Sequence, residues 1–209
     1  MFTDRTEAGG RLAERLREAA VTPDLVLAIP RGGLPVGRAV ADALDAPLDV
    51  VVASKVGAPG NPELAIGAVA GDGSLWLNES LVDRLGVDEG YVEAEREREA
   101  GVAREKVSEY RGGDPLPDVS GKHVVVVDDG VATGATALAC LKQVREGGAA
   151  RVVFGTPVAA ASTIPRLREE ADDVVVVEVP EQFSAVGYHY RDFGQVTDEE
   201  ALTYLAAEG

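Results

Sequence analysis

Two adjacent carboxylates, Asp128 and Asp129, stand between a run of valines and a loop of small residues. The run Val124–Val127 contains no polar residue and predicts a strand buried on both faces, as in a parallel sheet. The acids then lie at the carboxyl end of that strand, the edge at which open α/β sheets bind ligands. The following loop exposes backbone N–H groups at the start of a predicted helix, Ala137–Val144, and such groups bind phosphate. Acids beside a phosphate cradle suit a phosphorylated sugar, because carboxylates accept hydrogen bonds from its hydroxyls.

A structural alternative is a strand end whose acids cap the next helix. A cap requires only one acid and no Thr-Gly-Ala-Thr loop, so the ligand site is the favoured interpretation.

The segment Val124–Thr136 resembles the phosphoribosyl-diphosphate (PRPP) signature of type I phosphoribosyltransferases, which has a hydrophobic strand, two acids and a short Thr/Gly loop. The resemblance implies that Asp128 and Asp129 bind the ribose 2- and 3-hydroxyls. It also implies that the 5-phosphate is bound by Gly130, Val131, Ala132, Thr133, Gly134, Ala135 and Thr136.

A second motif, Ile29–Pro35, also joins a predicted strand to a predicted helix. Arg31 offers a planar fork to phosphate oxygens, and Gly32 and Gly33 allow the backbone to come close to them. In the family this segment is the diphosphate-binding loop, and the Arg31–Gly32 peptide is often cis. Without the other signature, a plain glycine turn would be the favoured interpretation.

Lys55 follows the second predicted strand, Leu48–Ala53, where many family members bring a basic group towards the diphosphate. The Gly/Pro-rich stretch after it, within Ser54–Glu63, resembles the mobile loop that closes over the active site in that family. The alternative for Lys55 is a solvated strand end.

The segment Pro180–Phe193 is rich in aromatic residues in a chain with 5% aromatics. In the family this region helps to build a hood over the acceptor base, and Phe183 is the predicted stacking residue. The alternative is a cluster that packs the C-terminal segment onto the sheet.

The resemblance implies transfer of a 5-phosphoribosyl group from PRPP to a nitrogen acceptor with release of diphosphate. Asp128, Asp129, Arg31 and Lys55 are the predicted catalytic residues. Mg²⁺ is the expected cofactor, near Asp128 and Asp129 but with no direct ligand assigned, because acids and a polyanion need a cation between them. A non-catalytic protein that senses PRPP or a nucleotide is the alternative.

The acceptor stays open. Members that use 6-oxopurines commonly carry an aspartate where this chain has Ala132, and a lysine on the next strand, where Arg151–Val158 has none. Hypoxanthine and guanine are therefore disfavoured. Glu63 and Glu181 are the candidates for an acid or base.

The periodicity predicts an α/β fold: a parallel sheet flanked by helices, with a small hood or hairpin addition. The hairpin is expected at Ala65–Ala70 and Ser74–Asn78, and Tyr91–Tyr110 is expected to be a charged, solvated helix. We expect a single domain over residues 1–209, with a core at about 20–180 and hood contributions from 56–78 and 180–195.

The chain has a formal net charge of −16, with 36 acidic and 20 basic residues. Such a surface repels nucleic acid and anionic lipid, so neither is an expected partner. No stretch has the length of a membrane span and no signal peptide is evident, so a cytoplasmic location is expected. Family members are often homodimers, and the sequence leaves the oligomeric state open.

The acidic composition also suggests adaptation to high salt, because salt screens repulsion between surface charges. We predict that the free energy of unfolding is higher in molar KCl than in dilute buffer. Equal values from denaturant titrations in the two solutions would contradict a halophilic origin.

Overall fold

The coordinates are a computed structural model, and the structure describes residues 1–206. The predicted parallel sheet is present, with five strands in the order β2-β1-β6-β7-β8. A second, antiparallel sheet contains three strands in the order β3-β4-β5. The strands are β1 (Leu25–Ala28), β2 (Leu48–Val50), β3 (Ala53–Ala58), β4 (Asn61–Ala70), β5 (Leu75–Leu77), β6 (His123–Val127), β7 (Arg151–Val158) and β8 (Asp173–Glu178).

Helices cover both faces of the parallel sheet. They are α1 (Arg5–Glu18), α2 (Gly33–Leu44), α3 (Glu79–Leu85), α4 (Glu89–Arg111), α5 (Ala135–Glu146), α6 (Ile164–Glu170) and α7 (Asp198–Ala206), with a short 3-10 helix at Val186–His189. Among residues 1–206, no helix is long and apolar enough to cross a membrane.

The central strand β6 is buried on both faces, which confirms the interpretation of its valine run. Val124 and Val126 pack in one cluster with α5 and α6, whereas Val125 and Val127 pack in another with α1 and α2. All four valines are at most 1% exposed. Alternate residues of the strand thus anchor the two helical layers.

The two layers define where a ligand can bind. After β1 the chain enters α2 on one face, and after the neighbouring β6 it enters α5 on the other. Adjacent strands whose connections leave in opposite directions open a crevice at their carboxyl ends. The segments that follow β1 and β6 are the two motifs singled out in the sequence.

The expected mobile loop at Ser54–Glu63 is instead an antiparallel hairpin. The predicted strand at Leu48–Ala53 ends at Val50, and a new strand, β3, begins at Ala53 and pairs with β4. Val56 and Ala58 are buried in a cluster with Ile66, so apolar side chains on this segment stabilise the hairpin. The predicted hairpin of β4 and β5 is confirmed.

The charged helix α4 is less solvated than its composition suggests. Glu99 is buried and accepts a hydrogen bond from the Ser54 hydroxyl at 2.5 Å. Tyr110, near the end of the helix, is also buried. Alternating charges indicated an exposed helix, but one face of it packs against the hairpin and β2.

Candidate active site

The two motifs meet at the carboxyl ends of β1 and β6. The Ile29 amide donates to the Val127 carbonyl at 2.8 Å, which continues the sheet beyond β1. A Cβ on Gly32 would lie 2.0 Å from Asp129 Oδ2, and one on Gly33 would lie 2.9 Å from the Val127 carbonyl oxygen. The glycines are therefore required by the close approach of one loop to the acids of the other.

Burial dominates the electrostatics of the acid pair. It raises the pKa of Asp128 well above its ordinary value, and the negative charge of Asp129 raises it further. Burial also raises the pKa of Asp129, although the Arg5 guanidinium opposes that shift. The Asp129 amide donates to Asp128 Oδ1 at 2.9 Å. The pair is poorly solvated, and the positive charge of one arginine offsets part of its negative charge.

That arginine, Arg5, was not predicted from the sequence. Its Nε donates to Asp129 Oδ2 at 2.7 Å, and the two side chains are 12% and 14% exposed. Its guanidinium also lies 3.9 Å from the ring centroid of Phe193. The Asp4 side chain caps α1 and so fixes the first turn that carries Arg5.

The loop after the acids presents its backbone to the crevice. Val131 and Ala135 are buried in the core, whereas Ala132 and Thr133 are exposed. Gly134 has a φ of 81° directly before α5, a conformation that favours glycine. The Thr163 hydroxyl donates to the Ala132 carbonyl at 2.5 Å. Anchored side chains and exposed N–H groups at a helix start are suited to an anion.

The C-terminal aromatic segment covers this loop. A Cβ on Gly130 would lie 2.3 Å from Val186 Cγ1, and the Tyr190 hydroxyl donates to the Asp129 carbonyl at 2.5 Å. Phe183, the predicted stacking residue, is half-buried and stacks on His189 with centroids 5.5 Å apart. One face of the Phe183 ring is therefore already in contact with His189. The side chain that lies on the signature loop is that of Val186.

Arg31 is held by residues that the sequence did not indicate. Its Nη1 donates to Asp198 Oδ2 at 3.1 Å, and the Tyr110 hydroxyl donates to Asp198 Oδ1 at 2.7 Å. The cis peptide expected at Arg31–Gly32 lies one bond earlier, at Pro30–Arg31. The prediction of a cis bond in this loop holds, but its position was wrong.

Lys55 projects from the hairpin and forms an ion pair with Glu63 at 3.2 Å. Its side chain is 39% exposed. The structure thus joins Lys55 to Glu63 across the β3–β4 hairpin rather than to either of the two loops.

A cavity of about 640 Å³ lies elsewhere in the molecule. It is lined by residues of α4, the segment before β6 and the end of α5, among them Arg104, Leu116 and Gln143. None of Arg31, Asp128 or Asp129 lines it. We place the candidate site at the crevice between β1 and β6 instead, because the paired loops, buried acids and helix start converge there.

The comparisons with known proteins extend over almost the whole chain. A family model described as "phosphoribosyl transferase domain" matches residues 3–192. Rv0571c of Mycobacterium tuberculosis H37Rv, named provisionally as a phosphoribosyl transferase, is 41% identical over 98% of this chain, which spans 46% of that protein. The crystal structure of TT1426 from Thermus thermophilus is 45% identical and superposes with a TM-score of 0.84, over 98% of this chain and 97% of that one. The chain thus spans about half the length of the curated relatives it matches.

The two neighbouring acids should respond oppositely to the same substitution. Asp128→Asn should raise the free energy of unfolding at pH 7 by about 1 kcal/mol, because it removes a buried charge that folding disfavours. Because the pKa of Asp128 is raised in the folded chain, the cost of its charge grows as pH rises from the pKa of the unfolded chain towards that of the folded chain. The stability gained in Asp128→Asn should therefore shrink at acidic pH.

Asp129→Asn should instead lower the free energy of unfolding by roughly 2 kcal/mol, because it leaves Arg5 mostly buried without a charged partner. From the sequence, a strand-end acid is expected to contribute little to stability, and the ion pair with Arg5 revises that expectation. Denaturant titration measures both variants, and shifts of the same sign would contradict this account.

Gly32→Ala should destabilise the fold by about 1–3 kcal/mol, because its Cβ must displace a buried carboxylate. Gly10→Ala is the matched control, since a Cβ there meets nothing within 4 Å on α1. That control should stabilise by about 0.5–1 kcal/mol. Thermal unfolding compares the two, and a neutral Gly32→Ala variant would refute the close approach.

Proposed function

The chain belongs to the phosphoribosyl transferase family, and we propose that it transfers the 5-phosphoribosyl group of PRPP to a nitrogen acceptor. In this reaction the bond between C1 and the diphosphate oxygen breaks and its electron pair leaves with diphosphate. A C1–N bond forms, and the acceptor gives up a proton. The observation that carries the proposal is the contact between the Arg31–Gly33 loop and the acids Asp128 and Asp129.

The acids are proposed to bind the ribose. Asp129 Oδ2 accepts from Arg5 and Asp128 Oδ1 accepts from a backbone amide, so the other oxygen of each carboxylate is available to a hydroxyl. The sugar passes through an electron-poor, oxocarbenium-like state, and nearby negative charge favours it. Low solvation strengthens that interaction.

The 5-phosphate is proposed to bind at the loop Gly130–Thr136. The buried side chains of Val131 and Ala135 fix this loop, and the start of the twelve-residue helix α5 supplies oriented N–H groups. The exposed Thr133 and half-buried Thr136 add hydroxyl donors. Gly130 allows the close approach of Val186 to this loop.

The diphosphate is proposed to bind Arg31, Gly32, Gly33 and Lys55. The glycines bring backbone amides to the crevice, and Arg31 supplies a fork for phosphate oxygens. Lys55 can contribute when it leaves its exposed partner Glu63, and such a surface ion pair is weak.

Mg²⁺ is the proposed cofactor. Among residues 1–206 no group of three or more acids, histidines or cysteines could hold a metal ion. Two carboxylates fit an ion that gains its remaining ligands from substrate phosphates and water. When bound, the ion would neutralise charge on the departing diphosphate, with Asp128 and Asp129 nearby.

The hood region is proposed to select the acceptor base. Phe183 stays the stacking candidate, and residues 56–78 and 180–195 are the proposed hood contributions to a single domain. Ala132, exposed in the loop, cannot accept a proton from the base, which disfavours 6-oxopurines. PRPP and a base are thus the proposed small-molecule partners.

A second candidate function is PRPP or nucleotide sensing without turnover. It is favoured by the internal pairing of three predicted site residues: Asp129 with Arg5, Arg31 with Asp198 and Lys55 with Glu63. A ligand must compete with or adapt to these ion pairs.

The test supplies PRPP, Mg²⁺ and a panel of nucleobases and measures released diphosphate. We expect diphosphate release with one base. The rate of release should fall by about two to four orders of magnitude in Asp128→Asn, because electrostatic stabilisation of the transition state contributes strongly to the rate. Asp83→Asn, an exposed acid on α3, is the matched control and should behave as wild type. PRPP binding without release on any base would favour sensing, and failure to bind PRPP would reject both the transfer reaction and PRPP sensing.

A further inference from the structure

We propose that Asp198, held by Tyr110, is a positioning residue that orients the Arg31 guanidinium for the diphosphate of PRPP. The inference rests on the proposed function of the same site. Asp198 lies beyond residues 3–192, which match the family model, and no sequence motif pointed to it.

The geometry is a continuous chain of hydrogen bonds. Asp198 uses both carboxylate oxygens: Oδ1 accepts from the Tyr110 hydroxyl at 2.7 Å and Oδ2 accepts from Arg31 Nη1 at 3.1 Å. Since each oxygen has its own donor, the carboxylate plane is fixed at both ends. The direction of the Arg31 side chain is thereby tied to two helices that are distant in sequence.

The start of α7 fixes Asp198. Thr197 and Glu200 form a reciprocal capping box: the Thr197 amide donates to Glu200 Oε2 at 2.8 Å, and the Glu200 amide donates to Thr197 Oγ1 at 3.2 Å. Ala201 is fully buried, and Tyr204 and Leu205 pack on the same cluster. Asp198 therefore stands on a capped and docked helix end.

Tyr110 is equally well fixed. The residue is 8% exposed and lies in a cluster with Leu34, Val50 and Ala103. Burial raises the pKa of Tyr110, so its hydroxyl keeps its proton and remains a donor. The hydrogen bond from Tyr110 lowers the pKa of Asp198, which keeps that carboxyl ionised towards Arg31.

The contact leaves Arg31 able to bind a ligand. A guanidinium has five N–H donors, and Asp198 occupies one of them. The Arg31 side chain is 35% exposed, so the remaining donors can reach a ligand from the crevice. Holding a long side chain in advance reduces the rotamer entropy lost on binding.

Asp198 could affect ligand binding by orienting Arg31 or by its own negative charge, and these two effects predict opposite changes in affinity when Asp198 is neutralised. As an anion near a polyanionic ligand, Asp198 by itself would weaken binding, so its neutralisation would tighten binding. If instead Asp198 positions Arg31, then Asp198→Asn weakens binding. Tyr110→Phe removes the restraint on Asp198 without changing any charge, and it should weaken binding in the same way.

The experiment measures binding of two ligands by calorimetry, in the presence of Mg²⁺, to the full chain and its variants. PRPP carries the diphosphate, whereas ribose 5-phosphate shares the sugar and 5-phosphate without it. We expect Tyr110→Phe and Asp198→Asn each to weaken PRPP binding about five- to tenfold, in line with one lost orienting contact. Ribose 5-phosphate affinity should change less than about twofold, because the sugar and 5-phosphate contacts are untouched.

Glu199→Gln is the control, since this exposed neighbour on α7 carries the same charge. It should leave the ratio of the two affinities unchanged. Tighter PRPP binding in Asp198→Asn with no effect of Tyr110→Phe would overturn the positioning role, as would equal losses for both ligands. If the wild-type chain binds neither ligand, the proposed function itself is rejected. If it binds both ligands and the variants bind them with unchanged affinity, only the role of Asp198 is rejected.

Discussion

The site depends on the close approach of a glycine backbone to a partly buried pair of acids. Gly32 and Gly33 lie where any Cβ would collide with the Asp129 carboxylate or the Val127 carbonyl. That approach is possible because β1 and β6 are adjacent in the sheet while their following helices leave on opposite faces. The crevice is thus a consequence of strand order, and the glycines allow the two loops to share it.

The charged groups at this edge are compensated from both ends of the chain. Arg5, at the start of α1, pairs with Asp129, and Asp198, at the start of α7, pairs with Arg31. Both partners stand in the first turn of a helix whose start is capped by a side chain, which fixes their positions. Since the acid pair retains excess negative charge, the folded chain carries an electrostatic cost at the place where it is proposed to act. Strain of this kind is common at functional sites.

Periodic features of the sequence were the predictable ones. The valine run of β6 and the loops after β1 and β6 indicate a buried parallel strand and an anion site, and the structure brings the two motifs together. Arg5 and Asp198 could not be predicted, because each is one of many charged residues and its role comes from a tertiary contact alone. The Ser54–Glu63 segment differs from its prediction for another reason. Its Gly and Pro residues indicated a loop, but the burial of Val56 and Ala58 against Ile66 outweighs that local preference.

The family model and the helix α7 cover different parts of the chain. The family model ends at residue 192, so it includes the acids, both loops and the segment that carries Val186 and Tyr190. Asp198 and the helix α7 lie after that point, yet they reach the Arg31 side chain through a single carboxylate. Because strand order sets the binding edge, a helix docked on its rim can hold a side chain such as Arg31 without altering the sheet.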